Sequence, residues 1–416
     1  MIKHPLVAAI IFSVFSLTNL FTLKAQDIYI KSLKYYAGKN QTAFPVLYLR
    51  NHKTTPLKIQ FDIEADTQPD LNIVFRFCDK NWTPYSNLLL QNDGYNIEHN
   101  LWFTSLPTTV EKARYHYRGR FPNKNINFPF PGKWQFYITD SQDTSIIYEW
   151  GKFIVAEQTV PLRISMERNR LEGKISDNSE LDRVFNLDVN FDIPDSLYPS
   201  RIEYVEIIEN QKVEYPVKIT KDNYVKNRYW EWNGSNEFKF VANDIKPGNE
   251  YRETNLLGIK WHMPPTTYAN VEKIDYSRFY KFGKRDLNGG FKLKNYKNEY
   301  ATYMNTIFQF EPPNAVYNDI FLVGAFTNWE VLPDFKMDNN NGIYSIDVEL
   351  KRGVYDYQYV SADIDGDEIT NIDWFVFEGN FWETQNVYNI FLYYKTTDLG
   401  GYDKIIGFKR IVSRNL

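Results

Sequence analysis

The residue types that most often carry chemistry are scarce in this chain of 416 residues. The histidines beyond residue 26 are His52, His99, His116 and His262. No two of them stand at the spacing of a metal-binding pair. The one cysteine, Cys78, excludes an intrachain disulfide framework, a zinc cluster built on cysteines and a CxxC redox pair. The sequence contains no Gly-x-Ser-x-Gly elbow, no His-Glu-x-x-His helix and no Walker loop. We therefore predict a non-enzymatic protein without a catalytic, metal or cofactor site.

Two segments suggest chemistry that their surroundings do not favour. The acidic run from Asp363 to Glu368 lacks the glycine and acid spacing of an EF-hand calcium loop, so we predict the tip of a hairpin. Cys78 ends the apolar segment 73–78, and a buried, unreactive thiol is expected at the end of such a strand. The 52 acidic residues are too many for the sequence to nominate a glycosidase pair.

The strongest compositional bias is aromatic, and it favours sheet over helix. The chain has 31 Tyr, 30 Phe and 10 Trp, residues that fit the half-buried surface of a pleated sheet. Apolar and polar residues alternate with period two in the segments 187–191, 344–350 and 355–359. This alternation places one face on a core and the other in water. No long 3.6-residue amphipathic pattern occurs, so we predict an all-β protein made of antiparallel sandwiches.

The first 26 residues have the pattern of a secretory signal peptide. Lys3 and His4 precede an apolar run over residues 6–21, and a small residue, Ala25, stands next to the expected cleavage site. A membrane-spanning helix is the alternative, but the run is shorter than the roughly 20 residues that a span requires, and Asn19 interrupts it. We therefore predict export and a chain that does not span the membrane.

Turn signals divide the remainder into three predicted consecutive β-sandwiches of immunoglobulin-like or early-set size. The predicted domains are residues 27–156, 157–299 and 300–416. Without the signal peptide the formal charge is −6, because 46 basic and 52 acidic residues remain. A mildly acidic chain without a long basic tract is a poor candidate for binding nucleic acid or an anionic membrane surface.

The third block carries the clearest local pattern. A Gly-x-Phe-x-x-Trp turn ends at Trp329, and a Gly-x-Tyr-x-Tyr strand begins at Gly353. This pattern resembles the starch- and glycogen-binding early-set sandwich. The resemblance implies stacking of a sugar on an exposed tryptophan, here Trp329 or Trp374, and a periplasmic glycan-binding protein is the alternative function. The other interpretation is that Trp329 packs against the loop at Met337 and the fold is retained without the ligand.

A set of motifs spread in order over the mature chain resembles the type IX secretion system plug proteins of Bacteroidota. The motifs are Phe61-Asp62, Cys78-Asp79-Lys80-Asn81-Trp82, Tyr115-His116-Tyr117, Phe121-Pro122-Asn123, Pro131-Gly132-Lys133-Trp134, Pro247-Gly248-Asn249-Glu250-Tyr251-Arg252, Asp286-Leu287-Asn288-Gly289-Gly290, Val323-Gly324, Thr327-Asn328-Trp329, Glu378-Gly379-Asn380-Phe381-Trp382-Glu383-Thr384 and Tyr402-Asp403-Lys404-Ile405-Ile406-Gly407. The chain departs from the family at Phe77, where a histidine is expected before Cys78. This departure puts a role for a His-Cys pair in doubt.

The resemblance implies a periplasmic protein, peripherally associated with the outer membrane, that binds and closes the inner opening of a large translocon barrel. No nucleic acid or small-molecule substrate is implied. Trp374, Phe375, Phe381 and Trp382 form the densest aromatic cluster and are the candidate residues for binding the translocon. The other interpretation is that this cluster is the core of the third domain.

Overall fold

A computed structural model describes residues 27–50, 53–171, 180–222, 225–314, 318–366 and 368–413. The predicted signal peptide lies outside these residues. The prediction of an all-β protein is confirmed, because the described helices are short 3-10 segments. They span Leu88–Leu90, Glu180–Asp182, Pro199–Arg201, Pro333–Phe335 and Asp398–Gly400. Within the described residues, no helix has the length and apolar character needed to cross a bilayer.

Ten strands between residues 29 and 157 form the first sandwich. They are β1 (Tyr29–Ala37), β2 (Val46–Arg50), β3 (Lys53–Thr54), β4 (Leu57–Glu64), β5 (Leu71–Cys78), β6 (Ile97–Glu98), β7 (Phe103–Ser105), β8 (Tyr115–Phe121), β9 (Gly132–Asp140) and β10 (Ile147–Glu157). One sheet has the order β1-β4-β8-β7 and the other β3-β2-β10-β9-β5-β6. Apolar side chains such as Ile59, Phe75 and Phe136 fill the core between the two sheets.

The next six strands begin a second sandwich. They are β11 (Arg163–Arg170), β12 (Arg183–Asp192), β13 (Ile202–Glu209), β14 (Val217–Thr220), β15 (Arg228–Trp232) and β16 (Glu237–Ile245). One sheet has the order β11-β12-β16-β15, and β13 pairs with β14 in the facing sheet. The apolar residues of the alternating segment 187–191 lie in the core between them, as predicted.

Ten further strands form the third sandwich. They are β17 (Arg252–Asn255), β18 (Thr266–Tyr268), β19 (Ile274–Tyr276), β20 (Phe291–Leu293), β21 (Tyr303–Glu311), β22 (Asp319–Gly324), β23 (Asp338–Asn340), β24 (Ile343–Lys351), β25 (Gly353–Asp365) and β26 (Glu368–Asp373). β25 pairs with β17, β20, β22 and β26, and β21 pairs with β18, β19 and β24. Asp365 pairs with Glu368 across the β25–β26 turn, so the acidic run is a hairpin tip, as predicted.

The last two strands return to the second sandwich. β27 (Val387–Lys395) pairs with β13, and β28 (Asp403–Val412) pairs with β27. The third sandwich is therefore inserted between β16 and β27, and it begins at residue 252. This pairing crosses the boundary predicted at 299/300. The physical reason is backbone hydrogen bonding: β13 has two edges to pair, and β14 pairs with one of them while β27 pairs with the other.

A buried polar network joins the first sandwich to the third. Asp62 on β4 accepts a hydrogen bond from His116 Nδ1 at 2.7 Å, from Lys351 Nζ at 2.5 Å and from the Tyr303 hydroxyl at 2.8 Å. The exposed fractions of Asp62 and Lys351 are 1% and 2%. Because three donors from two sandwiches share one carboxylate away from water, this joint is expected to be rigid.

A second buried pair joins the first sandwich to the second. Lys133 Nζ on β9 donates to Glu206 Oε1 on β13 at 2.9 Å and to the Lys80 carbonyl at 2.9 Å. The Tyr393 hydroxyl on β27 donates to Glu206 Oε2 at 2.8 Å. An apolar cluster surrounds this joint and combines residues of both sandwiches, among them Ile154 and Phe391.

Candidate partner-binding surface

Cys78 and His116, which could have carried chemistry, are buried and contact neighbouring side chains. The described residues contain no group of three or more His, Cys, Asp or Glu side chains that could hold a metal ion. Burial raises the pKa of the Cys78 thiol to about 12, so it stays protonated and is a poor nucleophile. The His116 ring is stacked on Tyr296, with ring centroids 3.8 Å apart, and its Nδ1 is engaged by Asp62.

Two buried carboxyl groups lie beside the turn at residues 286–290. Asp356 Oδ2 accepts backbone N–H bonds from Leu287 at 2.8 Å and Gly289 at 2.9 Å, and Asp286 Oδ2 accepts one from Tyr251. Burial, together with repulsion from neighbouring carboxylates, raises the pKa of Asp286 to about 7 and that of Asp356 to about 8. Because their hydrogen-bond donors are backbone amides, these acids hold the turn in place.

Trp329 is buried rather than presented to a ligand. Its exposed fraction is 1%, its Nε1 donates to the Gly289 carbonyl at 2.6 Å, and its ring lies 4.0 Å from that of Tyr251. Stacking of a sugar requires an open ring face, and neither face is open here. The burial corrects the prediction of a glycan site at Trp329. Its ring packs in a cluster with Tyr251 and Val331, whereas Met337 belongs to the neighbouring core.

Two of the four candidate aromatic residues line an open groove. Trp374 and Phe375 are half-buried at the edge of a groove of about 310 Å³ between the second and third sandwiches. Lys212 Nζ lies 4.4 Å from the ring centroid of Trp374, and Lys246 Nζ lies 4.8 Å from that of Phe375. The groove therefore presents aromatic rings with cations above them.

The other two candidates lie in the joint between the same sandwiches. Trp382 Nε1 donates to the Val184 carbonyl at 3.0 Å, and Phe381 is buried with its ring 5.7 Å from that of Phe282. Asn380, which precedes Phe381 in the chain, donates a hydrogen bond from its side chain to the Arg183 carbonyl at 2.7 Å. The predicted cluster is thus divided: Trp374 and Phe375 are partly exposed at the groove, whereas Phe381 and Trp382 pack in the joint.

The largest concentration of exposed apolar side chains lies elsewhere, on residues 257–284, which we call the apolar edge. About a third of the exposed large apolar side chains in the described part of the chain fall on it. They are Leu257, Ile259, Trp261, Met263, Val271, Tyr276, Tyr280 and Phe282. Trp261 is 73% exposed and Tyr280 84% exposed. A concentration of exposed apolar side chains in one segment commonly marks an interaction site.

The third sandwich sets the geometry of this edge. β18 and β19 pair one after the other, in parallel, with residues 305–311 of β21, so residues 266–276 of the segment run along one side of a sheet for about 20 Å. The turn before β18 is fixed by Arg352, which is buried. Its guanidinium donates to the carbonyls of Leu256, His262 and Tyr300, each at 2.8 Å. Trp261 is therefore exposed on a backbone that is held in position.

The sequence interpretation missed the apolar edge because its pattern resembles that of a buried strand. Apolar residues alternate with others from Leu257 to Met263, which predicts a half-buried strand. The chain instead turns, with the Trp261 N–H bonded to the Gly258 carbonyl at 3.1 Å, and Pro264-Pro265 follow. The two prolines beside an apolar alternation were the available signal, because proline cannot donate to a sheet ladder.

Comparison with known proteins gives a match in the first sandwich. The model of the family described as "Type 9 secretion system plug protein 1st domain" matches residues 30–157. No curated protein matches the chain. The matched family is a component of a secretion system and not a known family of enzymes, so a role in type 9 secretion at the cell envelope follows.

A solved structure shares the fold over 93% of the chain. The crystal structure of a hypothetical protein from Parabacteroides merdae ATCC 43184, at 2.30 Å resolution, is similar with a TM-score of 0.75 and 21% identity. The match covers 93% of this chain and 98% of that one. A chain from work on host cell surface retention of a 1.5-MDa bacterial ice-binding adhesin is matched over 92% of this chain and 96% of that one, at 9% identity, but its TM-score of 0.14 carries no argument. Residues 30–157 thus match the first domain of the type 9 secretion system plug proteins, the family that the motifs along the sequence resemble.

Proposed function

We propose that this protein is a non-catalytic periplasmic plug that binds and closes the periplasmic opening of the type IX secretion translocon, a large outer-membrane barrel. The observation that carries the proposal is the family match over residues 30–157, which form the first sandwich. The predicted signal peptide supports a periplasmic location, and association with the outer membrane would then be peripheral.

The architecture suits a plug because closing a wide opening needs bulk and stiffness rather than chemistry. The buried pairs Asp62–Lys351 and Lys133–Glu206 join the first sandwich to the other two. A body joined in this way can resist deformation as one unit. A contact of roughly 1,200–2,000 Å² would give a specific complex that can still be released.

We place the contact with the translocon at the groove that Trp374 and Phe375 line. Aromatic side chains are enriched among the residues that dominate binding energy, and these two remain partly exposed. Phe381 and Trp382 would act indirectly, because they hold the joint on which the groove depends.

Affinity purification of the tagged full-length protein from detergent-solubilised outer membranes tests this function. The barrel is expected to co-purify with the wild type. The double variant Trp374→Ala/Phe375→Ala is expected to recover less of the barrel by about tenfold or more. The reason is that removal of a central aromatic anchor costs about 2 kcal/mol or more of binding free energy.

The matched control is Trp232→Ala, which removes a partly exposed tryptophan that does not line the groove. Unchanged thermal unfolding of the groove variant excludes misfolding as the cause of its loss. If the wild type recovers no barrel, the proposed function is wrong. If the groove variant recovers as much as Trp232→Ala does, the groove is not the contact.

A further inference from the structure

We propose that the apolar edge contacts the membrane directly, with its aromatic and aliphatic side chains in the headgroup region of an anionic phospholipid bilayer. This inference goes beyond the plug function, which requires only a protein partner. The apolar edge combines three features on one side of the third sandwich: exposed apolar side chains, an excess of lysine and a fixed backbone.

The exposed side chains are of the types that favour a bilayer surface. Trp261, Tyr276 and Tyr280 have an apolar ring and a polar atom, and such residues concentrate at the headgroup level of membrane proteins. Met263 and Val271, which are fully apolar, lie in the same segment and are also well exposed. Exposure of these side chains to water is unfavourable, whereas insertion to the level of the acyl boundary would bury their apolar surface.

The charges of the apolar edge are positive although the whole chain is acidic. Lys260, Lys273, Lys281 and Lys284 are exposed, and Glu272 is the exposed acid of the segment. The other charged side chains of the edge have partners within the fold: Asp275 with Arg252 and Arg278 with Glu378. Arg285, just beyond the edge, pairs with Glu250. The balance stays positive when Glu311, opposite Tyr276 in the sheet, is included.

This local excess replaces the expectation drawn from the net charge. A formal charge of −6 without the signal peptide predicts weak attraction to an anionic surface. Electrostatic attraction to a membrane, however, falls off within a Debye length of about 10 Å, so only the charges that face the lipid count. Four lysines on one edge supply that attraction whatever the rest of the chain carries.

Composition and geometry favour a lipid surface over a protein partner at this edge. Exposed lysine together with tryptophan is typical of segments that lie on membranes. A partner strand would need a continuous sheet edge, but residues 269–273 separate β18 from β19, and Pro264-Pro265 precede β18. Breaks and prolines of this kind prevent pairing between edges.

The fixed backbone makes the contact effective. Arg352 holds three carbonyls around the turn that carries Trp261 and Met263. Because this turn is ordered before it meets the lipid, little conformational entropy is lost on binding.

Co-sedimentation of the purified full-length protein with vesicles tests the inference. We expect binding to vesicles of phosphatidylglycerol and phosphatidylethanolamine. Binding to phosphatidylcholine vesicles, or to the anionic vesicles at 1 M salt, should be weaker by about tenfold or more. The variant Trp261→Ala/Met263→Ala should bind the anionic vesicles about tenfold more weakly than the wild type. The variant Lys260→Gln/Lys281→Gln should lose affinity for anionic vesicles and keep the same weak binding to neutral ones.

Trp102→Ala is the matched control, because Trp102 is 90% exposed on the first sandwich, outside the apolar edge. The inference is overturned if the wild type does not bind anionic vesicles, or if Trp261→Ala/Met263→Ala binds them as well as Trp102→Ala does. Recovery of the barrel from detergent separates the two proposals, since no bilayer is present there. An edge variant that no longer binds vesicles but still co-purifies with the barrel supports a lipid contact. An edge variant that no longer co-purifies with the barrel in detergent assigns the edge to the protein partner and contradicts the lipid contact.

Discussion

Replacing Asp62 by alanine is expected to lower the free energy of unfolding by about 3–5 kcal/mol, because it leaves a buried cation without its counter-ion. Lys351 is 2% exposed and donates to Asp62 at 2.5 Å, and Tyr303 and His116 donate to the same carboxylate. All three donors would lose their acceptor at once. Urea unfolding followed by tryptophan fluorescence measures the effect, as a shift of the midpoint between wild type and variant.

An exposed ion pair provides the comparison. Asp192 pairs with Arg163 at 2.6 Å, and both side chains are exposed, so Asp192→Ala should cost much less stability than Asp62→Ala. Equal losses for Asp62→Ala and Asp192→Ala would show that the buried network does not stabilise the joint between the first and third sandwiches.

The same carboxylate predicts how stability depends on pH. Burial alone would raise the pKa of Asp62, but the hydrogen bond from His116 and the charge of Lys351 outweigh burial and hold the pKa below its usual value. A carboxyl with a lowered pKa in the folded chain stabilises it above the unfolded value of about 3.9, and this contribution is lost as the pH falls through the folded pKa. The difference between the wild type and Asp62→Ala should be full at pH 7 and shrink as the pH falls below about 4.

Replacing Glu206 by alanine is expected to lower the free energy of unfolding by a similar amount, about 3–5 kcal/mol, because Glu206 lies at the joint between the first and second sandwiches. Lys133 is buried, and burial lowers its pKa while the charge of Glu206 opposes this shift. Without Glu206 the ammonium loses its counter-ion, and the Tyr393 hydroxyl loses its acceptor. The midpoint of urea unfolding again reports the change.

A double variant distinguishes an unpaired charge from lost packing. Lys133→Met/Glu206→Leu removes both charges and retains side-chain volume, and replacing a buried ion pair in this way is often neutral or stabilising. We expect the double variant to recover most of the stability that Glu206→Ala loses. A double variant as unstable as Glu206→Ala would mean that the cost comes from packing rather than from the unpaired ammonium.

The sequence predicted the all-β class because alternation reports polarity along a strand. Leu187, Val189 and Phe191 on β12 point into the core, as their spacing required. On β25 the alternation of tyrosines with polar residues predicted a solvent-exposed face at Asp356 and Gln358. This prediction was wrong, because both side chains are buried. Alternation shows which residues are polar, but it cannot show that other segments of the chain cover them, as the turn at 286–290 covers Asp356.

The sequence could not reveal the insertion of the third sandwich. β27 returns to β13 after the chain has built ten other strands, and nothing in the local pattern of β27 encodes that pairing. The domain boundary at 299/300 followed from turn signals, which mark the ends of strands but not their partners. The same limit applies to the buried pairs, whose members are far apart in sequence.

The sequence indicated where aromatic residues concentrate but not which of them are exposed. Aromatic density drew attention to residues 374–382, but density alone cannot distinguish a half-buried ring such as that of Phe375 from a joint residue such as Phe381. The apolar edge was missed for the opposite reason, since its apolar alternation is typical of buried strands. Exposure depends on the neighbours that a segment finds in the fold.

Uptake of a large polar antibiotic by cells that lack this protein tests the central claim, closure of the translocon, most directly. The proposal predicts faster entry than in the parent strain, and restored exclusion when the wild-type gene is supplied. The groove variant Trp374→Ala/Phe375→Ala should restore exclusion poorly, and Trp232→Ala should restore it fully. Entry at the parental rate in cells without the protein would contradict sealing as its function.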